Sequence, residues 1–380
     1  MEREIPLYTL DGVRDAEITT HWFSTADKLG LSMLRFCREP SDDVVLVVHG
    51  LTTSSDMFIM PEHENLVTFL HRHGFGDVWT LDFRMSNRFA YNLRRHVYTM
   101  DDVALYDFPA ALETLRAAVG DAARVHVICH CLGSVAFMMS LYGKAVDGIA
   151  SVISNSVSLT PRIRRFSSLK IKVAPPIIEG LLGIEYINPL WSADRGATVG
   201  KLISKVVSAV HRECDVPACH MLSMMWGTGF PALYRHENLD EVTHRRGGDL
   251  YGGTSLNYHR HVRRMVEAGH AVKFRPGDPR YRTLPDDYLE HAHDIDTPVL
   301  LITGRSNQIF TNSQLVTHRM LQARGCTNTE LHVFETYGHQ DVFMGKNVAR
   351  EVFPRLLEFL GAHSSVGAHR SDGAVPAQSP

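Results

Sequence analysis

The stretch VHVICHCLGSVAFM, residues 125–138, sets Cys131 at the centre of Cys129-His130-Cys131-Leu132-Gly133. A β-type run leads in and an apolar helical run leads out, so the turn between them is tight. A nucleophile on such a turn needs small residues two places before and after it, because the turn crowds them. Gly133 is one; Cys129 is small but bulkier than the usual glycine. Serine is the common central residue. Cysteine keeps its role and changes the chemistry, since sulfur attacks as the thiolate and a neighbouring imidazole can generate it. His339, in YGHQD between a strand and the last helix, is the expected base. The order nucleophile, acid, base puts the third member in GRSNQIF, at Asn307. Cys-His-Asn sets are known, and a thiolate–imidazolium pair needs an orienter for the ring more than a second negative charge. Backbone N–H groups of Leu132 and of Leu51, in His49-Gly50-Leu51, are the expected oxyanion donors. His130, Met225 and Trp226 are candidate substrate contacts.

Each assignment has a plainer rival. Free cysteine is among the most buried residue types, so Cys131 could be structural; the tight turn and the placement of His339 outweigh that. Ser134 sits one step inside the helix and points away from the apex. Cys129 packs in the turn, since an i, i+2 disulfide to Cys131 would be strained. Asn307 is as well explained by turn preference as by catalysis, and Asp341 and Glu335 are rival acids. Asp82 and Arg84 read as a structural pair. The pairs His71/His73, His259/His261 and His291/His293 lack HExxH or CxxC company, so solvated or capping roles are expected and no metal. The Met-Trp run 221–226 is core as readily as pocket wall.

These residues need strands to present them. EITTHWFST (17–25) and LSMLRFCR (31–38) read as a hairpin, and DVVLVVHG (43–50) as a strand buried on both faces. A helix is expected over 61–74, with Pro61 near its start and Gly74 as its stop. VWTLDFR (78–84), VHVIC (125–129), GIASVIS (148–154), TPVLLITG (297–304) and ELHVFE (330–335) read as further strands. Helical spacing marks 101–119, the run after Cys131, and 346–360. The fold class is therefore α/β, with a mostly parallel central sheet flanked by helices. Residues 161–290, which include VAPPIIEGLLG and MLSMMWGTGF, lack strand alternation and read as an inserted helical cap. The expected division is 1–160 and 291–361 for the core, 161–290 for the cap and 362–380 for a disordered tail.

At 380 residues the chain can bury a large core unaided. A net charge of -3 shows no bias towards nucleic acid. No apolar run approaches the ~20 residues of a membrane span, and MEREIPLYTLDG lacks the pattern of a secretory signal. Six scattered cysteines suggest reduced thiols in a cytoplasmic protein. No G-x-G-x-x-G is present, and no cofactor is expected.

The chain resembles a branch of the α/β-hydrolase superfamily, the hydrolase region fused to flavin-dependent GMC-type oxidoreductases of the cholesterol oxidase kind, and its stand-alone relatives. The resemblance spans roughly residues 17–361. It rests on VVHGLTTSS, ENLVTFLHRHGFGDVWTLDFRMS, Asp107-Phe108-Pro109-Ala110-Ala111, HCLGS, GRSNQIF, YGHQDVFMGKN, MMWG and HENLDEVTH. Cysteine at the elbow is similar to polyhydroxyalkanoate synthases and dienelactone hydrolases. The resemblance implies an α/β-hydrolase fold and acyl chemistry, without the flavin domain that oxidase activity would need. The expectation is an esterase, thioesterase, acyltransferase or cyclase that forms a Cys131 thioester with a bulky hydrophobic substrate, free or carrier-bound. The alternatives are a non-catalytic ligand-binding or partner protein on the same scaffold and an enzyme of C–C bond cleavage or formation.

Overall fold

The computed structural model describes residues 10–365, apart from 95, 166, 170–171, 173–185, 212 and 228–230. VAPPIIEGLLG, the first nine residues and the tail from residue 366 lie outside the described residues. Strands β1 (Glu17–Ser24), β2 (Gly30–Cys37), β3 (Asp43–Val48), β4 (Asp77–Asp82), β5 (Arg124–His130) and β6 (Ile149–Asn155) come first. A short antiparallel pair follows, β7 (Tyr186–Ile187) with β8 (Thr254–Ser255), and then β9 (Val299–Gly304) and β10 (Thr329–Phe334). Eight of them form one sheet in the order β1-β2-β4-β3-β5-β6-β9-β10. The β1–β2 and β2–β4 pairs are antiparallel and every other pair in that sheet is parallel.

The physical cause is visible in β3. All six of its residues are buried, because helices cover both faces of a parallel sheet. Each fully buried valine or leucine of that run contributes ~1.5–3 kcal/mol before entropy is charged. Among the described residues, the α-helices of six or more residues are, in chain order, α1 (Leu66–Arg72), α2 (Phe108–Val119), α3 (Cys131–Tyr142), α4 (Val199–Val210), α5 (Pro217–Trp226), α6 (Glu241–Arg246), α7 (Asn257–Ala268), α8 (Ser313–Ala323) and α9 (Phe353–Ala362). Helices α4 to α7 all fall between the adjacent parallel strands β6 and β9. Among the described residues, no helix is long and apolar enough to cross a membrane.

Several boundaries differ from the sequence reading. Helix α1 starts at Leu66 rather than near Pro61, because the Asn65 side chain accepts from the Thr68 N–H (3.0 Å) and caps it there. The expected helix over 101–119 carries a π-helical turn at Val103–Asp107. Its last residue, Asp107, accepts from Arg84 Nε (2.7 Å), and Asp27 takes Arg84 Nη1 (2.9 Å). Arg84 therefore does not pair with Asp82. That carboxylate instead accepts from the Ser55 hydroxyl (2.8 Å) and the Ser86 hydroxyl (2.8 Å) and pairs with Arg88 (3.2 Å). The last helix is broken at Val352, before Pro354, into Val348–Glu351 and α9.

The histidine pairs divide by burial. His291 and His293 are exposed beside Asp294. His71 and His261 are buried, with Nε2 bonded to the carbonyls of Phe36 (3.1 Å) and Val272 (2.9 Å).

Candidate active site

The turn from β5 to α3 places Cys131 at the amino end of the helix with φ +55, in the left-handed region that side chains with a Cβ seldom adopt. Packing enforces it. Every residue from Leu132 to Tyr142 is buried, so the helix cannot retreat from the sheet. A Cβ at position 133 would collide with the His49 carbonyl oxygen, which is why glycine stands there. Cys131 alone in this helix is only half-buried, and it opens into a pocket.

The Cys131 sulfur, a His130 ring nitrogen and a His339 ring nitrogen all lie within 4.8 Å of one another. The backbone N–H groups of Leu132 and Leu51 both reach the sulfur and act to lower its pKa. Burial outweighs them and pushes the Cys131 thiol up to about 12. Burial also holds His339 down, at about 3. His130 is depressed as well, by burial first and then by His339 and His49. Burial of the two groups therefore favours thiol and imidazole over the thiolate–imidazolium pair. The reason is physical: both groups are desolvated and, among the described residues, no carboxylate bonds the His339 ring to stabilise its cation.

Neither ring nitrogen of His339 has a hydrogen-bond partner among the described residues. The direct Asn307–His339 bond expected from sequence is absent. Asn307 is buried in its turn, where its Oδ1 accepts from the N–H groups of Ile309 (3.0 Å) and Phe310 (3.3 Å). Its Nδ2 donates to the Ser156 hydroxyl (3.2 Å). Ser156 donates to Asn155 Oδ1 (3.2 Å), and Asn155 Nδ2 donates to His130 Nδ1 (2.7 Å) and, more weakly, to the His339 carbonyl (3.4 Å). Asn307 thus reaches the site through a relay that ends on His130. The ring planes of His130 and His339 stand 4.9 Å apart at their centroids.

The rival acids do not face the ring either. Asp341 accepts from the Gly338 N–H (2.9 Å) and from Asn238 Nδ2 (2.6 Å), and burial raises its pKa to about 6. Glu335 is exposed and held by Arg305 (2.7 Å). Ser134 is buried against Ser154 (2.6 Å) and Cys129, away from the pocket. Cys129 is a free thiol, raised to about 12 by burial.

Asn155 is the residue the sequence reading passed over. It is the last residue of β6, at the carboxyl end of a parallel strand, where α/β sheets place their ligands. That position was the available signal. The Leu233 carbonyl was not readable at all: it accepts the N–H groups of both His339 (3.0 Å) and Gln340 (2.9 Å) and so seats the histidine loop from the insertion. The pocket above Cys131 is lined mainly by apolar groups, among them Ile163, Met224, Met225, Trp226, Leu256 and Phe310. Trp226 stacks on His259 with centroids 4.9 Å apart. His130, Met225 and Trp226 all line this pocket.

An open, mostly parallel sheet, a tight strand-to-helix turn at the carboxyl end of a central strand, and a histidine after the last strand are the features of an α/β-hydrolase. The profile of the alpha/beta hydrolase family matches residues 44–352, and the chain belongs to that family. Comparison with curated proteins gives no match. Among solved structures it is similar to an esterase from Pyrococcus furiosus, at 15% identity over 92% of this chain and 93% of that one, with a TM-score of 0.50. It is also similar to a bacterial membrane phospholipase A described as a virulence factor, at 13% identity over 92% and 89% of the two chains, with a TM-score of 0.50. At these identities the likeness is one of fold.

Proposed function

We propose that the protein transfers acyl groups from bulky, hydrophobic esters or thioesters by way of a thioester on Cys131. The observation that carries this is the sulfur itself. It sits on a strained elbow, open to an apolar pocket, with two backbone N–H groups and an imidazole gathered around it. Groups held in unfavourable backbone geometry by their surroundings cluster where chemistry is done.

In the first step His339 takes the thiol proton as sulfur attacks the carbonyl carbon. Because the resting pair is neutral, charge separation and attack proceed together. The negative charge passes to the carbonyl oxygen, where the N–H groups of Leu51 and Leu132 hold it. Collapse breaks the bond to the leaving alkoxide or thiolate, which His339 reprotonates. Water, an alcohol or an amine, deprotonated by His339 in turn, then attacks the thioester carbonyl; the C–S bond breaks, and the Cys131 thiolate takes the proton back from His339. Asn155 is a positioning residue here. It fixes the His130 ring beside the sulfur, and Asn307 acts at one remove through Ser156.

A burst experiment tests this reading. Rapid mixing with a long-chain aryl ester is expected to release about one equivalent of phenol per chain before the steady rate, as an acyl-enzyme that forms faster than it breaks down requires. Cys131→Ala abolishes the burst. A wild-type trace without burst or turnover, alongside saturable binding of the ester, would favour the second reading, a ligand-binding protein on the hydrolase scaffold. The His339 ring without an orienting acid is the observation on that side.

A further inference from the structure

The insertion contains a second cluster of cysteine and histidine, remote in sequence from the elbow. One ligand atom from each of Cys214, Cys219, His236 and His244 lies within 4.8 Å of the other three. Cys219 Sγ stands 3.4 Å from His236 Nε2, and the imidazoles of His236 and His244 have centroids 4.4 Å apart. We propose that these four side chains form a closed, tetrahedral zinc site that staples the insertion.

Four features support a metal over a hydrogen-bonded cluster. Two thiols and two imidazoles are the donor set of structural zinc, which prefers thiolate sulfur and imidazole nitrogen in fours. Zn–S and Zn–N distances of about 2.3 and 2.0–2.1 Å put a tetrahedral S···N edge near ~3.6 Å, close to the Cys219–His236 separation. The two cysteines are free thiols rather than a disulfide. A buried nitrogen of His244, Nε2, has no hydrogen-bond partner among the described residues.

The surroundings hold the ligands in place. His220 Nε2 bonds the Cys214 carbonyl (2.9 Å) and its Nδ1 bonds the Ser208 hydroxyl (3.0 Å), fixing the loop that carries the first cysteine. Supporting contacts of this kind orient the residues that ligate a metal. Cys219 lies in the first turn of α5 and His244 in α6. Cys214, His236 and His244 are only partly buried, so an ion has a way in.

Binding balances as Zn2+ plus two thiols giving a bis-thiolate complex and two protons. All four positions are filled by protein, so the ion has no open site for substrate and its role is structural. It would tie α5, whose far end carries Met224, Met225 and Trp226, to the segment from which Asn238 bonds Asp341 in the histidine loop. The cysteine spacing, C-x4-C, is of the usual zinc kind, but the histidines have seven residues between them, outside the usual range. A motif reading therefore passes over the set.

The test uses the full chain. Protein purified without chelator is expected to hold about one zinc per chain by elemental analysis. After removal and replacement with Co2+, it is expected to show tetrahedral d–d bands with thiolate-to-cobalt charge transfer. Cys219→Ser should lose the metal and Cys131→Ala should keep it. If Cys219→Ser fails to fold, the decision passes to the Cys131→Ala chain. There, chelation should expose two further thiols to a thiol reagent, and Zn2+ should protect them again. A folded wild-type chain that binds neither ion, or metal that follows Cys131 instead, overturns the proposal.

Discussion

Gly50 and Cys131 approach so closely that a Cβ on residue 50 would stand 2.9 Å from the Cys131 Cβ and 3.6 Å from its sulfur. The loop after β3 is thus pressed against the elbow, and this contact is what brings the Leu51 N–H to the sulfur.

Gly50→Ala should therefore displace the Cys131 sulfur rather than unfold the chain. No positive φ is required at position 50, so the backbone tolerates alanine. A misplacement of about 1 Å costs about 10²-fold in rate. The expected result is a fall of that order in kcat/KM with the far-ultraviolet spectrum and melting curve nearly unchanged. An unaltered rate would mean that Leu51 is not where the oxyanion forms.

The relay Asn307–Ser156–Asn155–His130 makes a second prediction. Asn155→Ala and Asn307→Ala should each lower kcat about 10-fold, or about 1.4 kcal/mol, with little effect on KM. Because they act through one chain of hydrogen bonds, the double variant should lose less than the sum of the two, a coupling of about 0.5–1.4 kcal/mol. Strict additivity would show that Asn307 reaches the site by another route. An intact rate in Asn307→Ala would show that it serves only its own turn.

Three of these residues illustrate what the sequence made legible. The tight turn that carries Cys131 could be read because a β-branched run, a turn and an apolar helix are all local patterns. His339 could be read because it follows the last strand. Asn307 was located but its partner was not, since a hydrogen bond to Ser156 joins residues 151 positions apart and leaves no local trace. The same limit hid Asn155 and the seat at Leu233. It also hid the cluster of Cys214, Cys219, His236 and His244, whose members come from a loop, helix α5, a 3-10 turn and helix α6. The parallel sheet was legible for the opposite reason: a strand buried on both faces must be apolar along its whole length, as in β3.

The pH dependence follows from the desolvated pair. His339 titrates near 3 in the folded chain against an ordinary 6.5. A base of that kind stays unprotonated from about pH 8 to about pH 5, so the acid limb of kcat/KM should lie below that window. The same shift links to stability. The folded chain holds His339 neutral, so its contribution is present above pH 6.5 and is lost as pH falls from 6.5 towards about 3. The Cys131 thiol, raised to about 12, runs the other way: its contribution is present below pH 9 and is lost as pH rises from 9 towards about 12. Alkylation of Cys131 by iodoacetamide, followed by peptide mass, should therefore quicken with pH beyond 9. A plateau near neutral pH would reveal a preformed ion pair instead.

The most direct test of a Cys131 acyl-enzyme is the intact mass of the protein after brief exposure to a long-chain acyl thioester, quenched in acid. The account predicts a gain equal to one acyl group, located on the peptide that contains Cys131 and absent from Cys131→Ala. An unshifted mass with a panel of acyl donors, or a gain that survives in Cys131→Ala, would contradict it.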